Sequence, residues 1–312
     1  MSSENLLNPN IAPSTLLTEI KIYCPPRIAW HLEELLWTLE GVSSVSTLYQ
    51  PSTDSDQTRL EDLQALSVIS SSPDARLNVE QLLSANPTFL EGCTILETRP
   101  LAPEDWESAW KAYWKVTRVS ERIVICPAWL SYEPNNPNET VICIDPENAF
   151  GTGAHETTRL ALRAIEQHAC AQNTGQCRVL DVGTGSGVLA IFAAQLGFKE
   201  IVAMDIDPAA LQTAQKNADA NRVASKIKFT SSPLKDSRSV GFNLVVVNII
   251  AETILGLFDD LMACLAPGGS VIFTGLIAKT VLPVKTKLTN SGFIHIVETT
   301  ENSWYCLKAQ LQ

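Results

Sequence analysis

The feature that most constrains this fold is a regular alternation between short apolar runs and amphipathic segments, which begins at Arg178. The apolar runs, expected to be strands, are 178–182, 200–206, 226–230, 243–248 and 270–275. The amphipathic segments, expected to be helices, are 187–197, 208–221, 251–265 and 279–290. Such alternation predicts a parallel sheet with helices on both faces. Two last runs, 293–299 and 303–309, lack a helix between them and should form an antiparallel hairpin at the edge of a seven-stranded, doubly wound α/β sheet.

A glycine-rich turn follows the first strand of this sheet. Asp181 ends the strand, and Gly183, Gly185 and Gly187 follow at alternate positions. Glycines there permit positive φ angles and allow a ligand to approach the backbone closely. Dinucleotide-binding proteins usually space them G-x-G-x-x-G, and a carboxylate at Asp181 would repel a pyrophosphate but attract a sulfonium and an α-amino group. The turn therefore predicts a site for S-adenosylmethionine rather than NAD, contacted by Asp181, Gly183 and Gly185.

Acidic residues also follow the second strand. Asp205 lies 22 positions after Gly183, and a carboxylate at about that spacing can accept hydrogen bonds from both ribose hydroxyls of an adenosine. Asp207 directly precedes Pro208, a pattern typical of a helix N-cap. Asp205 is therefore the predicted ribose-binding residue.

The fourth strand ends at Asn248, before Ile249-Ile250-Ala251. In open α/β sheets, ligands bind beyond the carboxyl ends of the strands. The amide of Asn248 is therefore expected to contact the cofactor or a substrate amine, or else to cap the next helix.

A second glycine-containing segment, 149–158, precedes the sheet and leads into a helix expected at 159–170. A Gly-Thr-Gly loop at a helix N-terminus offers backbone N–H groups to an anion, and the methionine end of the cofactor carries a carboxylate. Phe150 and Gly151 are therefore predicted cofactor contacts, although a plain Thr-capped helix would also fit the pattern. His155 is expected to be structural rather than a catalytic base.

The first hundred residues have a different organisation. After a loose tail at 1–15, strands are expected at 17–23, 42–49, 63–69 and 93–98, with helices at 27–40 and 77–85. The order β-α-β-β-α-β predicts a small ferredoxin-like α+β domain over 16–100. A helix from Pro103 to Val116 is expected within a linker at 101–120, before a catalytic domain at 121–312.

Composition limits the remaining classes of function. The chain has a net charge of −11, and residues 1–100 alone contribute −8. Because no basic footprint is visible, direct binding to nucleic acid is not expected. The eight cysteines are scattered without metal-ligand spacing, no apolar run is long enough to span a membrane, and no secretory signal is expected. We therefore expect a cytoplasmic protein without a bound metal. A monomer is also expected, although these features do not bear on it.

Four segments together resemble one family, the ribosomal protein L-eleven methyltransferases (PrmA). These segments, in chain order, are 145–158, 181–191, 205–208 and 248–251. The resemblance implies a class I (Rossmann-like) methyltransferase sheet, and it implies cofactor contacts at Thr158, Gly183, Asp205 and Asn248. It also implies N-methylation of lysine side chains and the N-terminal amine of the large-subunit ribosomal stalk-base protein, with the first domain gripping that substrate. An N-methyltransferase for another protein or a small-molecule amine, and a non-catalytic adaptor, are the alternatives.

Overall fold

The computed structural model describes residues 17–48, 64–87, 90–101, 114–145, 155–234 and 241–312. The chain divides into two compact units, Met1–Trp114 and Lys115–Gln312. The boundary between them falls inside the predicted linker. The predicted tail and all but the end of the predicted linker helix lie outside the described residues, and Trp114–Val116, where that helix should end, are not helical.

The first unit contains one four-stranded antiparallel sheet with two helices. Its elements are β1 (Leu17–Cys24), α1 (Pro26–Trp37), β2 (Val42–Leu48), β3 (Gln64–Ser70), α2 (Ala75–Ala85) and β4 (Thr94–Leu101). The strands lie in the order β2-β3-β1-β4, and each neighbouring pair is antiparallel. The predicted order of elements is confirmed, whereas assignment to the ferredoxin-like class stays a prediction.

Alternating residues of β1 form the core of this unit. Ile20, Ile22 and Cys24 are fully buried and pack in one cluster with Leu32 and Leu36 of α1. This spacing of two in the strand and four in the helix brings one face of each element into the same apolar layer. Helix α1 ends three residues earlier than predicted.

The second unit begins with a small sheet and a long helix. Strands β5 (Thr117–Arg118), β6 (Ile123–Pro127) and β7 (Thr140–Ile144) pair in that order, and helix α3 (Glu156–Ala171) follows. Strands β6 and β7 are parallel. Strand β7 is thus an edge strand, with one side of its backbone available to other partners.

The predicted seven-stranded sheet is confirmed. Its strands are β8 (Arg178–Val182), β9 (Glu200–Met204), β10 (Ile227–Thr230), β11 (Phe242–Asn248), β12 (Leu265–Ile277), β13 (Phe293–Glu301) and β14 (Trp304–Leu311). They lie in the order β10-β9-β8-β11-β12-β14-β13. The first five strands are parallel, and β14 is antiparallel to both of its neighbours, as the predicted hairpin requires.

Helices cover both faces of this sheet. They are α4 (Val188–Gln195), α5 (Pro208–Ala220), α6 (Ala251–Gly256), α7 (Phe258–Cys264) and α8 (Ala278–Asn290). Along β11, Leu244 and Val246 belong to one apolar layer, and Val245 and Val247 belong to the other. The sheet is therefore buried on both faces, as expected of a doubly wound fold. No helix in the described ranges is long and apolar enough to cross a membrane.

Several predicted elements differ from the structure in their bounds, and two of them differ most. The single helix expected at 251–265 is two helices that meet at Leu257, directly after Gly256. Glycine is a poor helix residue and accounts for the break there. The strand expected at 270–275 runs from Leu265 to Ile277.

The order of the strands also determines where a ligand can bind. The chain runs from β8 outward to β9 and β10, and then returns to the opposite side of β8 with β11. The crossovers diverge between β8 and β11, so a crevice is expected at the carboxyl ends of these two strands. Asp181 and Asn248 stand near the ends of these two strands.

Candidate functional site

The glycine turn has the backbone that its sequence requires. Gly183, Gly185 and Gly187 have φ angles of +74°, +52° and +84°, which favour glycine. The N–H groups of Gly183 and Thr184 donate to the carbonyl of Met204, which ends β9, at 2.8 and 2.9 Å. A Cβ on Gly183 would lie 2.6 Å from Cγ2 of Ile249. The turn is therefore held against both neighbouring strand ends and has no room for a side chain at its first glycine.

Asp181 lies beneath this turn. Its side chain is 1% exposed, and the Thr184 hydroxyl donates to its Oδ2 at 2.6 Å. Burial raises the pKa of this carboxyl to about 7, although the hydrogen bond from Thr184 opposes the shift. The described contacts of Asp181 support the turn itself, and its predicted contact with the cofactor stays a prediction.

Asp205 faces the same turn from the end of β9. Its Oδ2 accepts a hydrogen bond from the Gly185 N–H at 2.9 Å, and its Oδ1 accepts one from the Asp207 N–H at 3.0 Å. A carboxylate has about four acceptor positions, so this half-exposed group keeps capacity for ribose hydroxyls. The predicted N-cap role of Asp207 is confirmed, because its side chain accepts from the Ala209 N–H at 2.8 Å.

Asn248 and Thr158 come together although they are 90 residues apart in the chain. Nδ2 of Asn248 donates to Oγ1 of the fully buried Thr158 at 3.4 Å. Oδ1 of Asn248 is buried and has no hydrogen-bond partner among the described residues. The following helix, α6, has Ile250 as its N-cap and no side-chain capping bond, so the capping alternative is wrong. A buried acceptor without a partner is costly and indicates a missing donor.

The first turn of α3 holds Thr158 in place. His155 is the N-cap, and its Nδ1 accepts from the Thr157 N–H at 3.3 Å, so the Thr-capped alternative is wrong. Burial lowers the pKa of His155, which favours the neutral ring that this contact needs. The hydroxyl of Thr274, on β12, donates to the Thr157 carbonyl at 3.3 Å. The predicted contacts Phe150 and Gly151 lie outside the described residues.

The edge hairpin also reaches the start of α3, which the sequence analysis did not predict. Glu301 accepts from Nε of Arg159 at 2.7 Å and pairs with the guanidinium of Arg163 one turn later. These arginines hold the pKa of Glu301 below its usual range, against the opposing effect of its partial burial. The Trp304 ring packs edge-on against His155, with 4.9 Å between ring centroids. The four-residue spacing of Arg159 and Arg163 places both on one face of the helix, and it was the sequence signal that could have predicted an acidic partner there.

Comparison with known proteins identifies the family. A family model described as Ribosomal protein L11 methyltransferase (PrmA) matches residues 17–312. The chain belongs to this family.

The names of individual relatives match the description of this family. A Ribosomal protein L11 methyltransferase from Desulforapulum autotrophicum is 37% identical over 273 residues, covering 87% of this chain and 85% of the relative. One from Clostridium botulinum is 40% identical over 221 residues, covering 71% and 69%. A crystal structure of the ribosomal protein L11 methylase from Lactobacillus delbrueckii subsp. bulgaricus is 32% identical with a TM-score of 0.59, and it covers 64% of this chain and 100% of that one.

The residues at this site fit the cofactor that a methyltransferase family implies. Asp205 retains acceptor capacity, the backbone of Gly183 is partly exposed, and Asn248 presents an acceptor without a partner. All three lie at or just beyond the carboxyl ends of neighbouring strands. No group of three or more potential metal-binding side chains occurs within the described ranges.

Proposed function

We propose that this chain transfers methyl groups from S-adenosylmethionine to lysine side-chain and N-terminal amines of ribosomal protein L11, the stalk-base protein of the large subunit. Family membership supports the substrate, because the relatives carry that name. The observation that carries the chemistry is the buried Oδ1 of Asn248, which lacks a donor beside the glycine turn. An amine N–H is a donor of the required kind.

The cofactor, when bound, supplies a methyl group on a positively charged sulfur. In this proposal the carboxylate of Asp205 would accept hydrogen bonds from the ribose hydroxyls. Its hydrogen bond from the Gly185 N–H fixes its orientation. The bare backbone at Gly183 and Gly185 permits close contact. Thr158 holds the amide of Asn248 so that its oxygen stays available.

The amine must arrive without its extra proton, because an ammonium has no lone pair with which to attack. A free lysine has a pKa of about 10.4, and burial in a partly apolar site lowers it. Oδ1 of Asn248 would accept an N–H of the neutral amine and direct its lone pair toward the methyl group. The N–C bond would form as the methyl–sulfur bond breaks, which would leave a neutral thioether, and the product ammonium would release its proton to water. This orientation is the catalytic role that we assign to Asn248, and the proposal needs no dedicated base.

The acidic first unit supports a protein substrate that is basic. Residues 1–100 carry a net charge of −8, and such a surface attracts positively charged partners over long range. We therefore propose that residues 16–100 recognise the substrate and that 121–312 carry out the transfer. Because ribosomal proteins are assembled into ribosomes in the cytoplasm, we also propose that this protein acts there, and that it acts as a monomer.

Radiolabelled methyl transfer tests the proposal. The full chain would be incubated with labelled S-adenosylmethionine and either purified ribosomal protein L11, a mixture of other ribosomal proteins, or free lysine and small amines. Labelling of L11, mapped by mass spectrometry to lysine and N-terminal amines, is expected. Labelling of small amines alone would favour the alternative substrate class, and cofactor binding without any transfer would favour an adaptor.

The variant Asn248→Ala tests the role of this amide in the same assay. We expect it to lose transfer while still binding the cofactor, because Asp205 and the glycine turn remain intact. Undiminished transfer by Asn248→Ala would contradict the proposed role of its amide.

A further inference from the structure

Helix α5 carries two asparagines, one turn apart, whose side chains bind the free edge of strand β7. Asn221 accepts from the Cys143 N–H at 2.9 Å and donates to the Cys143 carbonyl at 2.6 Å. Asn217 does the same for Asp145, at 2.9 and 2.8 Å. The two amides thus take the place of a neighbouring strand at Cys143 and Asp145.

Asn217 makes one contact that Asn221 does not. Its second Nδ2 hydrogen is donated to the carbonyl of Ser186, inside the glycine turn, at 2.9 Å. Asn217 is 2% exposed and Ser186 is fully buried. With one oxygen and two N–H groups all engaged, the hydrogens of this side chain are fully used.

The same face of α5 packs directly against the turn. A Cβ built on Gly187 would lie 3.0 Å from the Cβ of Ala214, which stands one turn before Asn217. The small side chain of Ala214 therefore allows the close approach that brings the Asn217 amide within reach of Ser186. The Gly187 N–H in turn donates to the Thr184 carbonyl at 2.9 Å, which closes the turn.

We propose that Asn217 is a positioning residue for the cofactor site. By holding the Ser186 carbonyl on the side of α5, it fixes the peptide plane between Ser186 and Gly187. It thereby fixes the conformation that presents the Gly185 N–H to Asp205. Because the Asn217 side chain also hydrogen-bonds the backbone of Asp145, it links the turn to the end of β7. This inference rests on the proposed binding of S-adenosylmethionine.

The test compares Asn217→Ala with Asn221→Ala in the full chain. Each substitution removes one amide from the β7 edge, but only Asn217→Ala releases the Ser186 carbonyl. We expect comparable decreases in the midpoint of thermal unfolding, because Asn221 also makes one further bond, from its Nδ2 to the Asn217 carbonyl at 2.7 Å. Calorimetric titration with S-adenosylmethionine, well below both midpoints, should give a higher dissociation constant for Asn217→Ala alone. The increase should be at most about five- to tenfold, the full value of one buried hydrogen bond, because only the added cost of ordering the turn affects binding.

A second variant and a second measurement support this comparison. Asn217→Ser is too short to reach both partners but leaves a polar group in the buried space, and it replaces the alanine variant if that one does not fold. Amide hydrogen exchange at residues 185–187 should accelerate in the Asn217 variants and not in Asn221→Ala. Equal affinities in the Asn217 and Asn221 variants would overturn the inference. Failure of the unsubstituted protein to bind the cofactor would instead refute the proposed function.

Discussion

Replacing Gly275 with alanine should disturb the site through the backbone that follows Asn248. Gly275 lies in β12, next to Thr274, which pairs with Asn248 in the parallel register. Its φ angle is +82°, and a Cβ there would lie 2.3 Å from the carbonyl oxygen of Ile249 and 2.9 Å from the carbonyl carbon of that residue. Both atoms belong to the peptide between Ile249 and Ile250, so this backbone, one residue after Asn248, has to move.

The expected loss in free energy of unfolding has two parts, which a control variant can separate. A left-handed backbone costs a residue with a side chain about 1–2 kcal/mol, and overpacking adds typically about 1–3 kcal/mol. Gly292 has a similar φ of +84°, but a Cβ there meets nothing within 4 Å. Gly292→Ala should therefore carry only the first cost and Gly275→Ala both.

Urea unfolding of the two variants measures this difference, and methyl transfer measures its effect on the site. Gly275→Ala should also lower kcat, because the Asn248 amide is displaced, whereas Gly292→Ala should keep normal transfer. Equal free energies of unfolding for the two variants, together with unimpaired transfer by Gly275→Ala, would refute the reasoning from the Ile249 contact.

Three further changes have defined outcomes. Asp205→Ala should raise the dissociation constant for S-adenosylmethionine by at least about tenfold in calorimetry, since one charged hydrogen-bond partner contributes about 1.5–3 kcal/mol; an unchanged constant would exclude its ribose-binding role. Asn248→Ala should lower kcat more than cofactor affinity in steady-state and binding assays, and a purely affinity-based loss would argue against amine orientation. Because burial raises the pKa of Asp181 to about 7, its contribution to stability should be full below about pH 4 and be lost as pH rises toward 7. In denaturant titrations across this range, Asp181→Asn should remove that slope, and a slope that persists would assign the effect to another group.

Local sequence was sufficient for the sheet and for most of the site. Asp205, Asp207 and Asn248 are at strand ends or helix starts, where neighbouring residues decide the geometry. The structure confirms the N-cap at Asp207, whereas the ligand contacts of Asp205 and Asn248 stay predictions. Local sequence did not predict the direction in which a side chain points. Sequence placed Asp181 at the right strand end but could not reveal that it turns beneath the glycines, because that depends on packing by other layers.

Contacts between distant segments were not predictable from pattern. The amide of Asn217 reaches Asp145, 72 residues earlier, and the pairing of β6 with β7 depends on α4 and α5 packing beside them. Apolar periodicity reports which face of an element is buried and not which partner covers it. The cap at His155 was also missed, since the threonines before the predicted helix offered a more usual capping group.

The ion pairs of Glu301 with Arg159 and Arg163 have a consequence for biosynthesis. The start of α3, which carries Thr158, is held by residues that are translated some 140 positions later. We expect that a nascent chain whose residue 301 is still inside the exit tunnel can form most of its sheet. It lacks the ion pairs of Glu301 with Arg159 and Arg163. Activity should therefore emerge only after Glu301 has left the exit tunnel and can bind the two arginines.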